Sequence, residues 1–168
     1  MSMASRMATP AQSCTNTSYS GAAGLTAPDL SAVDVGSATS FLSSNPRAIL
    51  ATTRSDGRPQ LSPVVVAVDD AGRVLISTRE TAIKAKNLAR DPRASLCGIT
   101  NAFFGQWVQA EGVAELIHLP DALPILEDYY RRISGEHPDW DEYRAAMRQE
   151  KRLIVRITID RAGPDVSG

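Results

Sequence analysis

Cysteine is scarce in this chain. Cys14 and Cys97 are the two thiols among 168 residues, too few for a disulfide framework. Cys97 stands in an apolar stretch and reads as a small buried hydrophobe. The two histidines, His118 and His137, are isolated from each other and from any Cys-x-x-Cys pair, so no metal site is expected. Charge of one sign is lacking too: 18 basic and 19 acidic residues leave a net charge of −1. A duplex-binding domain carries a basic excess, which argues against nucleic acid as a partner. No apolar run approaches the ~18 residues that cross a bilayer as a helix. The familiar catalytic signatures are also missing: there is no G-x-S-x-G, H-E-x-x-H, P-loop or G-x-G-x-x-G. If the protein is an enzyme, a bound cofactor is expected to carry the chemistry while the chain supplies pocket and orientation, with no catalytic side chain of its own.

Residues 1–28 hold no Asp or Glu, a single Arg6, and much Ser, Thr, Ala and Gly. Such a segment buries too little apolar surface to offset its ordering entropy. It lacks the apolar centre of a secretory signal and the several arginines of a transit peptide. The expectation is a disordered extension over 1–28, one domain over 29–168, and a cytoplasmic protein.

From Asp29 the pattern tightens. Residues 29–43 have helical spacing, ended by Asn45-Pro46. Strands are expected over 47–54, 60–68 and 73–78, joined by a turn at Asp56-Gly57 and another at Asp69-Asp70-Ala71-Gly72. A helix over 80–90 closes at Asp91-Pro92. Strands follow over 93–100 and 106–117, with Gly112 a candidate bulge. A helix over 120–134 and a second from Asp139, whose Asp139 and Glu142 are spaced as a capping box, lead to a last alternating strand over 152–159. Six strands, mostly hairpin-linked, with a few helices outside, suggest a mainly β antiparallel barrel, closed or nearly so.

Two places could hold a ligand. At the junction of the third strand with the helix over 80–90, Ser77 and Thr78 precede backbone N–H groups that are free in the helix's first turn. Lys84 and Asn87 are neighbours on that helix, an arrangement that suits a phosphate or another anion. The plainer reading is a wet charged face. In the strand Gln60-Leu61-Ser62-Pro63, Gln60 and Ser62 share a face, Pro63 marks an edge, and Arg58 precedes it. The plainer reading there is a polar outer face. Trp107 could cover a flat ring, or belong to a core or subunit interface.

Together, Ala51-Thr52-Thr53-Arg54-Ser55-Asp56-Gly57-Arg58-Pro59-Gln60-Leu61-Ser62-Pro63, Ile83-Lys84-Ala85-Lys86-Asn87-Leu88-Ala89-Arg90-Asp91-Pro92-Arg93-Ala94-Ser95, Ala110-Glu111-Gly112-Val113-Ala114 and the run from Gly135 to Met147 resemble pyridoxamine 5'-phosphate oxidase-like proteins. Within them, they resemble the actinobacterial branch that uses the deazaflavin coenzyme F420. The resemblance covers about residues 30–165. It implies a six-stranded split β-barrel of the FMN-binding kind, working as a homodimer with two cofactor sites at the interface and acting on a small-molecule substrate. It implies that Lys84 and Asn87 hold the cofactor's phosphate region, that Arg58, Gln60 and Ser62 line the ring or tail, that Ser77 and Thr78 present backbone to the ring, and that Trp107 reaches in from the partner. Ala82 stands where some relatives carry arginine, and Pro63 where some carry a polar residue. The expected activity is F420-dependent hydride transfer to an electron-poor organic molecule. An FMN-dependent oxidoreductase and a non-catalytic flavin- or haem-binding protein are the alternatives.

Overall fold

A computed structural model describes residues 34–102 and 105–163. The described chain runs α1 (Val35–Ser44), β1 (Arg47–Thr53), β2 (Pro59–Val65), β3 (Ala67–Val68), β4 (Val74–Arg79), α2 (Ile83–Arg90), β5 (Arg93–Ile99), β6 (Trp107–Ile117), α3 (Ala122–Ser134), α4 (Trp140–Gln149) and β7 (Arg152–Ala162). The expected extension over 1–28 lies outside the described residues, as does the start of the first expected helix.

All seven strands form one sheet in the order β2-β1-β5-β6-β7-β4-β3, and every pairing is antiparallel. The two edge strands of this list, β2 and β3, are separated in the chain by Val66 alone. A flat sheet would hold its edges five strands apart, so the sheet must curl until they meet. This is the split β-barrel, in agreement with the fold class expected from the sequence. The strand count is seven, not six, because the expected strand over 60–68 breaks at Val66. There the backbone leaves the ladder: the Val66 N–H donates to the Pro46 carbonyl at 2.7 Å, and the Val65 carbonyl accepts from the Tyr129 hydroxyl at 2.9 Å. Val66 itself is fully buried.

The barrel interior collects the inward residues of alternating strands: Ala48 and Leu50 of β1, Val74 and Ile76 of β4, Leu96 of β5, Val108 of β6, and Leu153, Val155 and Ile157 of β7. The ends are plugged by helices. Ala38 and Leu42 of α1 and Ala85 and Leu88 of α2 enter the same core. The side chain of Asp34 accepts from the Ser37 N–H and caps α1.

A second apolar layer lies outside the barrel. Leu75 and Ile154 point outward from β4 and β7 and are buried with Ala122, Leu126 and Tyr129 of α3 and Tyr143 of α4. Half of the expected capping box forms at α4: Asp139 accepts from the Glu142 N–H at 2.9 Å, but the Asp139 N–H donates to His137 Nδ1 at 3.0 Å and not to Glu142. The run that begins at Gly135 therefore builds structure. Tyr130, His137, Trp140 and Tyr143 pack ring against ring at 5.1–5.9 Å, with the Arg131 guanidinium 4.3 Å from the Trp140 ring centroid.

Two glycines answer to geometry. Gly57 turns the β1–β2 hairpin at φ 82°. Gly112 sits at the register shift between β6 and β7, the bulge expected from sequence. A Cβ there would lie 2.0 Å from the Thr158 carbonyl oxygen, so only glycine permits the approach.

Candidate functional site

The junction of β4 with α2 is concave. Ser77, Thr78, Thr81, Ala82 and Lys84 line a depression of about 430 Å³ together with Arg79 and Arg152. Ala82 is the N-cap of α2 and offers no side-chain cap, so the first-turn N–H groups and the positive end of the helix dipole are open to a ligand's negative charge. Arg79 and Arg152 both donate to the Glu150 carboxylate, at 3.1 and 2.9 Å. Those two guanidinium groups, Arg152 first, hold Glu150 below its ordinary carboxylate range. Three cationic side chains thus border the depression against one carboxylate. Arg152 also borders a smaller depression of about 180 Å³ with Lys151, His118 and Glu80.

The second group lies inside the barrel's rim, beside the C-terminal end of β1. Gln60 and Ser62 face inward, on the side of β2 that pairs with the inner face of β1. Ser62 is buried and Gln60 half-buried, so the polar outer face of a plain hairpin is not what the strand presents. Thr52, on the inner face of β1, joins them. Its hydroxyl donates to the Gln60 amide oxygen at 3.2 Å and accepts from the Asn87 amide at 3.0 Å. Thr52 did not stand out in the sequence. Its signal was its place two residues beyond Leu50, next in the inward series that starts at Ala48, where a hydroxyl must have a partner.

The sequence-derived candidates therefore fall into two groups and two outliers. Ser77, Thr78 and Lys84 come together at the depression. Gln60, Ser62 and Asn87 come together at the rim, because buried Asn87 turns toward Thr52 and away from Lys84. Arg58 stays in the exposed hairpin turn and grips Asp56 at 2.6 Å, holding that carboxyl below its ordinary range. Trp107 begins β6 on the outer sheet face, opposite Ile99. In this single chain neither Arg58 nor Trp107 lines the depression.

No described residue covers that outer face. Across β2, β1, β5 and β6 the outward residues form rows by register: Val65, Arg47, Ile99 and Trp107; Pro63, Ile49, Cys97 and Gln109; Leu61, Ala51, Ser95 and Glu111. Leu61 is 63% exposed and Val113 49%, so this apolar surface is left open by the described residues. Cys97 is a free, half-buried thiol in the middle row, and desolvation raises its pKa. A hollow of about 580 Å³ between Thr53, Pro59, Arg93, Glu111 and Asp160 opens on the same side. Among the described residues no three His, Cys, Asp or Glu side chains converge as a metal site, and no helix is long and apolar enough to cross a membrane.

Known structures share this architecture. A conserved hypothetical protein of Mycobacterium tuberculosis is 30% identical, with a TM-score of 0.62 over 77% of this chain and 82% of that one. An F420 reductase is 20% identical, with a TM-score of 0.58 over 74% of this chain and 94% of that one. A haem storage protein of Vibrio cholerae is 18% identical, with a TM-score of 0.59 over 77% and 92%. The last two likenesses are of fold. The pyridoxamine 5'-phosphate oxidase family matches residues 37–163, which takes in every strand and all but the start of α1, and the chain belongs to that family.

Proposed function

We propose that the protein is a cytoplasmic, homodimeric F420-dependent oxidoreductase that reduces a small electron-poor organic molecule. The observation that carries this reading is the line of cations at the β4–α2 junction. Lys84, Arg79 and Arg152 border one depression, and Arg152 with Lys151 borders the next. A single phosphate needs one such depression. A deazaflavin with a phosphodiester and an acidic tail would use both. Lys84 would pair with the phosphodiester beside the open N-terminus of α2, where charge-assisted hydrogen bonds are strongest. Ser77 and Thr78 would set the ring's height against the end of β4. The chemistry the bound group supplies is hydride donation. The chain's own share is to bind, orient and exclude water.

Homodimerisation belongs to the same proposal. The rows on β2, β1, β5 and β6 that no described residue covers are apolar at Leu61, Val65, Ile49 and Ile99, and a second copy of the chain covers them. Trp107 and the hollow beside Arg93 lie on that face, so the partner would complete the ligand site from there.

Fluorescence titration with F420 and with FMN, side by side, tests the cofactor. Tight F420 binding with weak FMN binding is expected, and the reverse order moves the protein to the FMN branch. Haem binding without flavin binding would make it a haem carrier. Lys84→Ala should weaken F420 binding by about tenfold or more, the worth of a charge-assisted hydrogen bond, and unchanged affinity removes Lys84 from the site.

A further inference from the structure

The Glu150 carboxylate is held in a way that leaves it replaceable. Arg79 at the end of β4 and Arg152 at the start of β7 each turn an Nε–Nη2 edge toward it. All four nitrogens converge on one atom, Oε2, at 3.1 and 3.1 Å from Arg79 and 2.9 and 2.9 Å from Arg152. Each such edge matches two parallel oxygens, yet here two edges share a single oxygen. The turn that carries Glu150 is pinned without these ion pairs. The Glu150 and Lys151 N–H groups donate to the Ala146 and Arg148 carbonyls, and the Lys151 carbonyl accepts from the Glu80 N–H at 3.0 Å. The Arg79 and Glu150 side chains are 57% and 35% exposed, and exposed ion pairs are weak, so letting go of Glu150 disturbs little else.

We propose that Glu150 is a built-in competitor in the β4–α2 depression: it stands where an acidic group of the ligand binds, and a ligand enters by taking Arg79 and Arg152 from it. The consequence is selection by charge. A free carboxylate that replaced Glu150 would exchange one carboxylate for another and gain nothing. A polyphosphate offers each guanidinium edge its own pair of oxygens. An acidic group tethered to a phosphodiester already held at Lys84 arrives at high effective concentration; that case rests on the deazaflavin proposed above, and the polyphosphate case does not. Displacement also frees a carboxyl that the two guanidiniums hold below its ordinary range, so its pKa must rise when the ligand is bound. The other ionisable groups bordering this end are Lys84, Lys151 and the pair of Glu80 and His118, 3.9 Å apart.

The test is calorimetric titration at fixed ionic strength with inorganic pyrophosphate, F420 and free glutamate, on the wild type and on Glu150→Gln, which keeps the size and removes the charge. Glu150→Gln should bind pyrophosphate and F420 more tightly by roughly two- to thirtyfold, the range for two exposed ion pairs that no longer compete. Free glutamate should bind the wild type far more weakly than pyrophosphate, and comparable binding overturns the selection by charge. A 13C NMR titration of the Glu150 carboxyl in the wild type needs no variant: its pKa should rise on saturation with pyrophosphate. A pKa that stays depressed overturns the displacement, as does pyrophosphate binding that is absent, unchanged or weaker in Glu150→Gln. Tighter pyrophosphate binding by Glu150→Gln, with no F420 binding by either protein, keeps the competitor and removes the deazaflavin. F420 binding by the wild type, with neither ligand gaining in Glu150→Gln, removes the competitor and keeps the deazaflavin.

Discussion

The two outer faces of the curled sheet are built from similar strands and end in opposite situations. Over β4 and β7, α3 and α4 bury the outward Leu75 and Ile154, so Val74, Leu75 and Ile76 read as an unbroken buried run. Over β1 and β2 no described element covers the outward side, and burial alternates: Ala48, Leu50 and Thr52 are in, while Leu61, Pro63 and Val65 are out. A sheet buried on both faces shows continuous apolar sequence, and one buried on a single face shows alternation. Leu61, Val65 and Ile99 break that rule by being apolar on the open side. The difference separates what holds the chain folded from what the chain offers to something else.

Mutation should break this contrast most clearly at the covered face. Leu126 is fully buried under α4, and Leu126→Ala should cost about 2–5 kcal/mol in denaturant unfolding, the range for large-to-small core changes. Leu61→Ala should stay within about 0.5 kcal/mol for the isolated subunit, as surface changes do. A similar cost at both positions would mean that the open face is part of the folding core. Leu61→Asp sharpens the contrast. It should convert a dimer to a monomer by light scattering and make the thermal midpoint independent of protein concentration, with the circular dichroism spectrum unchanged. A smaller effect is expected where the faces meet: Tyr129→Phe removes the bond to the Val65 carbonyl and should cost about 1 kcal/mol, the typical net worth of such a bond.

The two faces were also unequally legible in the sequence. Strand and helix positions followed from alternation and turn residues, since the Asp56-Gly57 hairpin, the Gly112 bulge and the Asp139 cap are local signals. The break at Val66 was not legible, because Val64-Val65-Val66-Ala67-Val68 is an even apolar run and the groups that break it, Pro46 and Tyr129, lie far away in the chain. At the candidate site, the shared face of Gln60 and Ser62 follows from the two-residue period of a strand. The helix spacing of Lys84 and Asn87 made them neighbours, but it could not say that Thr52 draws Asn87 inward. That depends on which strand lies beneath α2. Arg58 and Trp107 both lie apart from the depression in the single chain, a separation that strand alternation and turn signals do not encode.

Acid provides the finest test of the contrast, because each face carries an arginine–carboxylate pair. On the covered side Glu127 accepts from Arg144 at 2.7 Å, linking α3 to α4, and that bond lowers its pKa. On the open side Arg93 grips Asp91 at 2.7 Å and holds its pKa down at about 2. Both folded pKa values lie below their unfolded ones, so each pair's contribution is present above the unfolded pKa and is lost as pH falls through the folded one. For Asp91 that window runs from about 4, the ordinary aspartate value, to about 2. The larger shift need not mean the larger stabilisation, because Arg93 is 80% exposed and water screens such pairs. Glu127, by contrast, is 13% exposed, and Arg144 34%. Arg144→Gln should therefore move the midpoint of acid unfolding to higher pH, whereas Arg93→Gln should leave it in place while raising the Asp91 pKa measured by NMR. If Arg93→Gln moved the midpoint instead, the open face would be contributing to fold stability through a contact with a second copy, and repeating the titration on Leu61→Asp would show it by abolishing the difference.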